Sequence, residues 1–261
     1  MRSVRLIYFS PTGTTRKVLE AIAKGLAADD LERLDLTFRR AIGSESSERS
    51  DITIIGTPVY SGRVPLQAIE ALQLLKGQNA PAVVIAVYGN RAFEDALLEL
   101  TELARQSGFR PVAAAAFIGE HSFSSPAAPI AEGRPDEEDI EKAVMFGKMI
   151  REKIDKGIAE NIFVQVPGNF PYKKRNPSPP PPVTDEMSCI KCANCVTICP
   201  AQAVAIQDET VLTNKDRCLA CCACVKNCPS GARRVDPQLA QRAQTLSSAC
   251  RERKEPQFYI S

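Results

Sequence analysis

The 261-residue chain reads as an α/β protein: an open, doubly wound parallel sheet followed by a second, small domain rich in cysteine. Three observations carry this. Strand-length apolar runs alternate with amphipathic helical stretches over residues 1–159. Prolines interrupt the pattern at 160–183. Nine of the ten cysteines then fall within 184–236, eight of them in two copies of one spacing, leaving 237–261 as a tail.

The elements follow in order. Residues 4–9, 51–56, 82–88 and 112–118 are short, mainly apolar runs, read as buried parallel strands, and 31–36 is a weaker edge-strand candidate. Val18, Ile22 and Leu26 share one helical face, as do Phe93, Leu97 and Leu100. Ile140, Val144, Gly147, Ile150, Ile154 and Ile158 form a longer stripe. Pro65 suits the first turn of a helix reaching Leu75. Residues 37–50 are short, polar and serine-rich, so any helix there is reduced to a turn. Pro167, Pro171, Pro177 and the proline run 179–182 exclude regular pairing and favour a polyproline spacer of about 3 Å per residue. The simplest reading of 160–183 is a passive linker.

Charge is close to balance in each part: −2 over 1–159, +2 over 160–183, zero over 184–236 and +2 over the tail, giving the net +2. No basic stripe suits a nucleic acid, and no apolar run is long enough to span a membrane. Met1 leads directly into the first strand without a cleavable leader, so the expected setting is cytoplasmic, reducing and anaerobic.

The cysteines carry the strongest signal. Cys189-x2-Cys192-x2-Cys195-x3-Cys199-Pro200 is repeated 29 residues later as Cys218-x2-Cys221-x2-Cys224-x3-Cys228-Pro229. Zinc ribbons space their knuckles more widely, and a disulfide framework needs an oxidising compartment. Three thiolates at this pitch suit one [4Fe–4S] cube, and the duplication implies two. Cys222 and Cys250 lie outside the pattern.

A second motif follows the first strand: Ser10-Pro11-Thr12-Gly13-Thr14-Thr15, leading into a helix. Hydroxyls, glycine and a helix N-terminus can surround one phosphate, although such a turn is also ordinary helix capping. It is neither a Walker loop nor a dinucleotide fingerprint. Thr57-Pro58-Val59-Tyr60-Ser61-Gly62 ends the third strand and Gly89-Asn90-Arg91-Ala92-Phe93 the fourth, at the edge where doubly wound sheets bind ligands.

On these motifs, residues 1–159 resemble a flavodoxin-type FMN domain of strand order 2-1-3-4-5. Residues 184–236 resemble a small α+β bacterial two-cluster ferredoxin, and the whole resembles the flavodoxin–ferredoxin fusion proteins. The resemblance implies two clusters with exchanged fourth ligands: Cys189, Cys192, Cys195 and Cys228 on one, Cys218, Cys221, Cys224 and Cys199 on the other. It implies that Ser10, Thr12, Gly13, Thr14 and Thr15 hold the FMN phosphate. Thr57, Pro58, Val59, Tyr60 and Gly62 would lie along the isoalloxazine, with Gly62 able to reorient its peptide. Gly89, Asn90, Arg91 and Phe93 would lie near the pyrimidine edge. Tyr60 reads equally as a surface aromatic, and Arg91 as a solvated charge. The chain has no tryptophan to stack on a flavin.

His121, the only histidine, ends the fifth strand and is a candidate catalytic proton relay or a plain loop residue. The expected function is electron transfer between the clusters and FMN, with redox proteins as partners. The alternatives are a flavin-dependent reductase of a small acceptor such as a quinone or nitro compound, and a redox sensor.

Overall fold

The computed structural model describes residues 3–38, 50–157, 164–176 and 179–260. Strands β1 (Ser3–Tyr8), β2 (Asp30–Asp35), β3 (Ile52–Pro58), β4 (Pro81–Tyr88) and β5 (Arg110–Ile118) are parallel and ordered 2-1-3-4-5. This is the flavodoxin-like order, with its ligand crevice at the β1/β3 switch point. β3 is buried along its whole length, so its sequence is a continuous apolar run rather than an alternation. β2 is the largely exposed edge.

Helices α1 (Thr14–Leu26) and α4 (Glu137–Asp155) cover one face of the sheet, and α2 (Leu66–Leu72) and α3 (Ala96–Gln106) the other. Val18, Ile22 and Leu26 are fully buried, as the sequence pattern required. α2 starts after Pro65 but ends at Leu72, earlier than the periodicity suggested. The expected turn at 37–50, Ile158 and Pro177 fall wholly or partly outside the described residues.

α1 and α4 touch through two glycines. A Cβ on Gly25 would lie 2.1 Å from Val144 O, and one on Gly147 would lie 2.2 Å from Ile22 O. Asp136 and Asp139 close a reciprocal capping box at the α4 N-terminus, each side chain accepting from the other's backbone N–H at 3.1 Å.

The cysteine-rich domain is built from short pieces: β6 (Val183–Thr184), α5 (Asn194–Thr197), β7 (Val204–Gln207), β8 (Thr210–Thr213), α6 (Ala223–Lys226) and β9 (Arg233–Arg234). β7 and β8 form a hairpin, and β6 pairs antiparallel with β9.

One expectation needs correction. The segment 164–176 is not a passive spacer, because it is strapped to the sheet domain. Asp95 accepts from the backbone N–H of Asn169 (2.8 Å) and of Lys173 (2.6 Å), and Lys173 Nζ meets Glu94 at 2.6 Å. Buried Glu99 takes Arg63 at 2.6 Å and Arg175 at 2.8 Å. Arg63 also lies 4.8 Å from the centre of the Tyr172 ring. Burial opposes ionisation of Asp95, but the strap's N–H groups outweigh it and hold its carboxyl below the usual range.

The tail, in turn, is structured. Asp236 caps α7 (Pro237–Ala249), with proline at the helix start, and β10 (Gln257–Ile260) pairs antiparallel with β5 as a sixth strand. Phe258 stacks on Phe146 at 4.6 Å and lies 5.7 Å from Phe117, while Tyr259 packs on the opposite core. No helix among the described residues is long and apolar enough to cross a membrane.

The glycine crossing generates a prediction. Alanine is the better helix former, yet Gly147→Ala drives a methyl into the α1 backbone. It is expected to lower stability by about 1–3 kcal/mol, read as a fall in the thermal midpoint. A rise would show that helix propensity outweighs the close approach.

Candidate functional site

A cavity of about 350 Å³ opens at the carboxyl ends of the sheet. Its floor comes from Thr12 and Thr14 after β1, Pro58 to Gly62 after β3, Gly89 and Arg91 after β4, and Gly119 to Phe123 after β5. The cysteine-rich domain supplies Leu219 and Ala220, the strap supplies Lys173 and Asn176, and α7 supplies Arg242 and Leu246. Chain segments far apart in sequence thus enclose one space.

The hydroxyl-rich loop fits an anionic group. Gly13 takes a left-handed φ of 81° at the N-cap of α1, where it offers no capping side chain of its own and no carboxylate occupies the first turn. Ser10 Oγ accepts from Arg16 N at 3.1 Å, and Thr12 Oγ1 and Thr14 Oγ1 are 3.4 Å apart. Thr15 Oγ1 and Thr57 Oγ1 are buried without any partner. Unpaired hydroxyls inside a protein are costly, and a phosphate ester with its ribityl chain would relieve that cost.

The remaining expected residues separate into two groups. Pro58, Val59, Tyr60, Gly62, Gly89, Arg91 and His121 line the cavity. Ser10, Gly13, Thr15 and Thr57 lie behind that surface. Gly62 has a φ of 78°, and a Cβ there would meet the Glu94 carboxylate. A Cβ on Gly89 would lie 2.4 Å from His121 Cδ2, so glycine at that position makes room for the imidazole. Arg91 pairs with Glu94 at 2.9 Å. Burial raises the Tyr60 hydroxyl well above its ordinary value, and Cys221 and Cys222 add to the effect. Tyr60 shares the cavity wall with Leu219 and Ala220 of the cysteine-rich domain.

Asn90 and Phe93 do not line the cavity. Asn90 is buried at a φ of 60°, and its amide is taken up by the tail. Nδ2 donates to Cys250 O (2.9 Å) and Glu252 O (2.8 Å), and Oδ1 accepts from Lys254 N (3.2 Å). Phe93 packs edge-on to Tyr88 at 5.4 Å, within the core. Loop position alone suggested a ring contact for both, whereas tertiary partners occupy them.

His121 is a neutral imidazole. Burial, then the Lys226 and Arg91 charges, lower its pKa from 6.5 to about 4. Nδ1 accepts from Phe123 N at 3.1 Å, which leaves the proton on Nε2.

The cysteines gather as two sets. One cavity is lined by Cys189, Cys192, Cys195 and Cys228, and a second by Cys218, Cys221, Cys224 and Cys199, with Cys222 beside them. In each loop the residues between cysteines take left-handed φ at matching positions of the repeat: Lys191 (52°) and Ala193 (57°), then Ala220 (49°) and Cys222 (58°). Such alternation turns successive backbone N–H groups into an anion-binding concavity, as at many iron–sulfur sites. Cys222 is a buried thiol pushed up to about 12, mainly by burial. Cys250 packs beside Ala243 and Leu246.

Arg233 was missed by sequence reasoning. It is 3% exposed, and no carboxylate pairs with it among the described residues. Its guanidinium meets Thr184 Oγ1 (2.7 Å), Thr213 Oγ1 (3.0 Å) and Cys224 Sγ (3.6 Å), while its backbone N donates to Cys228 Sγ at 3.4 Å. Nε has no partner. A buried cation left uncompensated is expensive, and an anionic cluster on either side supplies the missing charge. Two cysteine sets, two backbone concavities and an internal counter-charge together fit a pair of [4Fe–4S] clusters. The only hint in the sequence was an arginine five residues after Cys228.

Residues 181–229 match the family model of the 4Fe-4S dicluster domain. No curated protein matches the chain. Among solved structures, a flavodoxin from the domain Archaea aligns at 14% identity with a TM-score of 0.42, over 59% of this chain and 99% of its own. Oxidised flavodoxin 1 from Bacillus cereus aligns at 17% and 0.42, over 60% and 99%. The rubredoxin oxygen:oxidoreductase of Desulfovibrio gigas aligns at 18% and 0.45, over 60% of this chain and 37% of that one. With the strand order of its sheet and the family match of its cysteine segment, the chain joins a flavodoxin-like domain and a 4Fe-4S dicluster domain in one polypeptide.

Proposed function

We propose that the protein is an electron-transfer flavoprotein that relays low-potential electrons between two [4Fe–4S] clusters and FMN. One observation carries the reading: the cavity at the sheet's carboxyl edge is walled in part by Leu219 and Ala220, inside the second cysteine loop. Clusters exchange single electrons and FMN holds one or two, so joining them converts between the two kinds of chemistry. Tethering replaces a diffusional encounter with a local one.

The chain's own residues divide the work. Ser10, Thr12, Gly13, Thr14 and Thr15 would hold the phosphate at the α1 N-terminus, whose first turn carries no carboxylate. Tyr60 and Gly62 would flank the ring, and Arg91 and Lys173 bring positive charge to the cavity. The cysteine quartets would ligate the clusters, with Arg233 as counter-charge to both. His121 acts here as a hydrogen-bond donor through Nε2–H.

Anaerobic reconstitution should give about eight iron atoms per chain, one tightly held FMN, and stepwise reduction of both without net turnover of a small acceptor. Loss of FMN on desalting would defeat the flavin half of the reading, and rapid turnover of a quinone or nitro compound would replace the relay with a reductase.

Three variants test the assignments. Thr15→Val removes an unpaired buried hydroxyl, so the flavin-free protein should hold or gain stability while FMN binding weakens by about tenfold, the worth of one hydrogen bond; equal FMN affinity would remove Thr15 from the site. Arg233→Gln should lower both cluster potentials by about 60 mV, since about 1.4 kcal/mol of charge stabilisation is lost for a one-electron couple. Unchanged potentials by redox titration would deny the counter-charge role. For His121 the folded value lies below the unfolded one, so the unfolded chain binds the proton first. Stability should therefore fall as pH drops from about 6.5 towards about 4, and His121→Gln should flatten that fall; a histidine NMR signal titrating near 6.5 would show the ring to be solvated instead.

A further inference from the structure

The two cysteine loops are copies in sequence but not in surroundings. Ile190 and Leu219 occupy the same position of the 29-residue repeat, each directly after the first cysteine of its run. Ile190 is 65% exposed, whereas Leu219 packs against the core of the sheet domain. Cys192 is exposed and its counterpart Cys221 is buried. The cavity of the first quartet is lined only by the cysteine-rich domain. Leu219 alone lines both the cavity of the second quartet and the large cavity at the sheet edge. Tyr60 lines the large cavity together with Leu219 and Ala220 of this loop. Lys226, just after Cys224, forms an ion pair with Glu120 that pins this loop over the β5 end.

Resting on the relay reading above, we propose that the two clusters have fixed and different places in it. The group held by Cys189, Cys192, Cys195 and Cys228 exchanges electrons with external donors, and the group held by Cys218, Cys221, Cys224 and Cys199 alone exchanges with the flavin, across Leu219. Each passage moves one electron. With the groups bound, the Cys189, Cys192, Cys195 and Cys228 set would take that electron from a reduced low-potential donor protein, and the Cys218, Cys221, Cys224 and Cys199 set would hand it on across Leu219. Two passages, with two protons from water, reduce the flavin fully. The asymmetry follows from packing alone, since the ligand sets are chemically alike.

The test uses the full chain loaded with iron and FMN, partially reduced, and reads the magnetic coupling between the flavin spin and a reduced cluster by pulsed electron paramagnetic resonance. Cys192→Ala is expected to keep that coupling while losing reduction by a small reduced ferredoxin. Cys221→Ala is expected to lose the coupling. Loss of coupling in Cys192→Ala with retention in Cys221→Ala would reverse the order, and equal dependence on both would abolish it. Leu219→Trp leaves every ligand in place and guards against a misfolded Cys221→Ala. It should weaken FMN binding by about tenfold and alter the spectrum of the inner cluster only. An unchanged FMN affinity would remove Leu219 from the wall. Absence of FMN or of clusters in the wild-type protein would instead defeat the relay reading itself, before the order is tested.

Discussion

The arrangement depends on two straps that bind the cysteine-rich domain to the carboxyl edge of the sheet. On the way out, residues 164–176 are held by three carboxylates, Glu94, Asp95 and Glu99, of which Asp95 and Glu99 are buried. On the way back, Asn90 holds the tail by three backbone hydrogen bonds, and β10 completes the sheet beside β5. An exposed edge strand is a liability, and here the chain covers its own edge. The two straps hold Leu219 and Ala220 where they wall the cavity at the sheet's carboxyl edge.

The second strap is reinforced by charge. Arg134 forms a buried ion pair with Asp139 and donates to Lys254 O at 2.9 Å. Arg253 reaches Asp136 at 2.6 Å and holds its carboxyl far below the usual range. The α4 N-terminus, already rich in carboxylates, therefore receives the tail's cations where the helix dipole leaves those carboxylates favourably ionised. Arg233 differs in kind from these paired arginines. It touches cysteines of both sets and has no carboxylate partner among the described residues, so its charge is left for an anionic group to balance.

Duplication explains the cysteine-rich domain, and docking explains how its copies diverge. The same spacing gives the same left-handed positions in both loops, because a thiolate every third residue around one centre requires that backbone path. Only the second loop meets the sheet domain. That contact turns an equivalent residue from an exposed isoleucine into a partition leucine, and an exposed cysteine into a buried one.

The sequence by itself determined the local and periodic features. Apolar runs fixed β1, β3, β4 and β5, since strands buried on both faces have to be continuously apolar, and cysteine spacing fixed the two loops. The glycine-containing hydroxyl loop marked the start of α1. Tertiary structure alone decided where polar residues point. Asn90 had the same local context as a ligand-binding residue, yet its amide holds the tail, because backbone groups from 160 residues away reach it first. Arg233, Leu219 and Lys173 carry no local signature; each gains its role from a neighbour distant in sequence. The strand β10 was invisible for the same reason: a four-residue apolar segment pairs only when another strand's edge is presented to it.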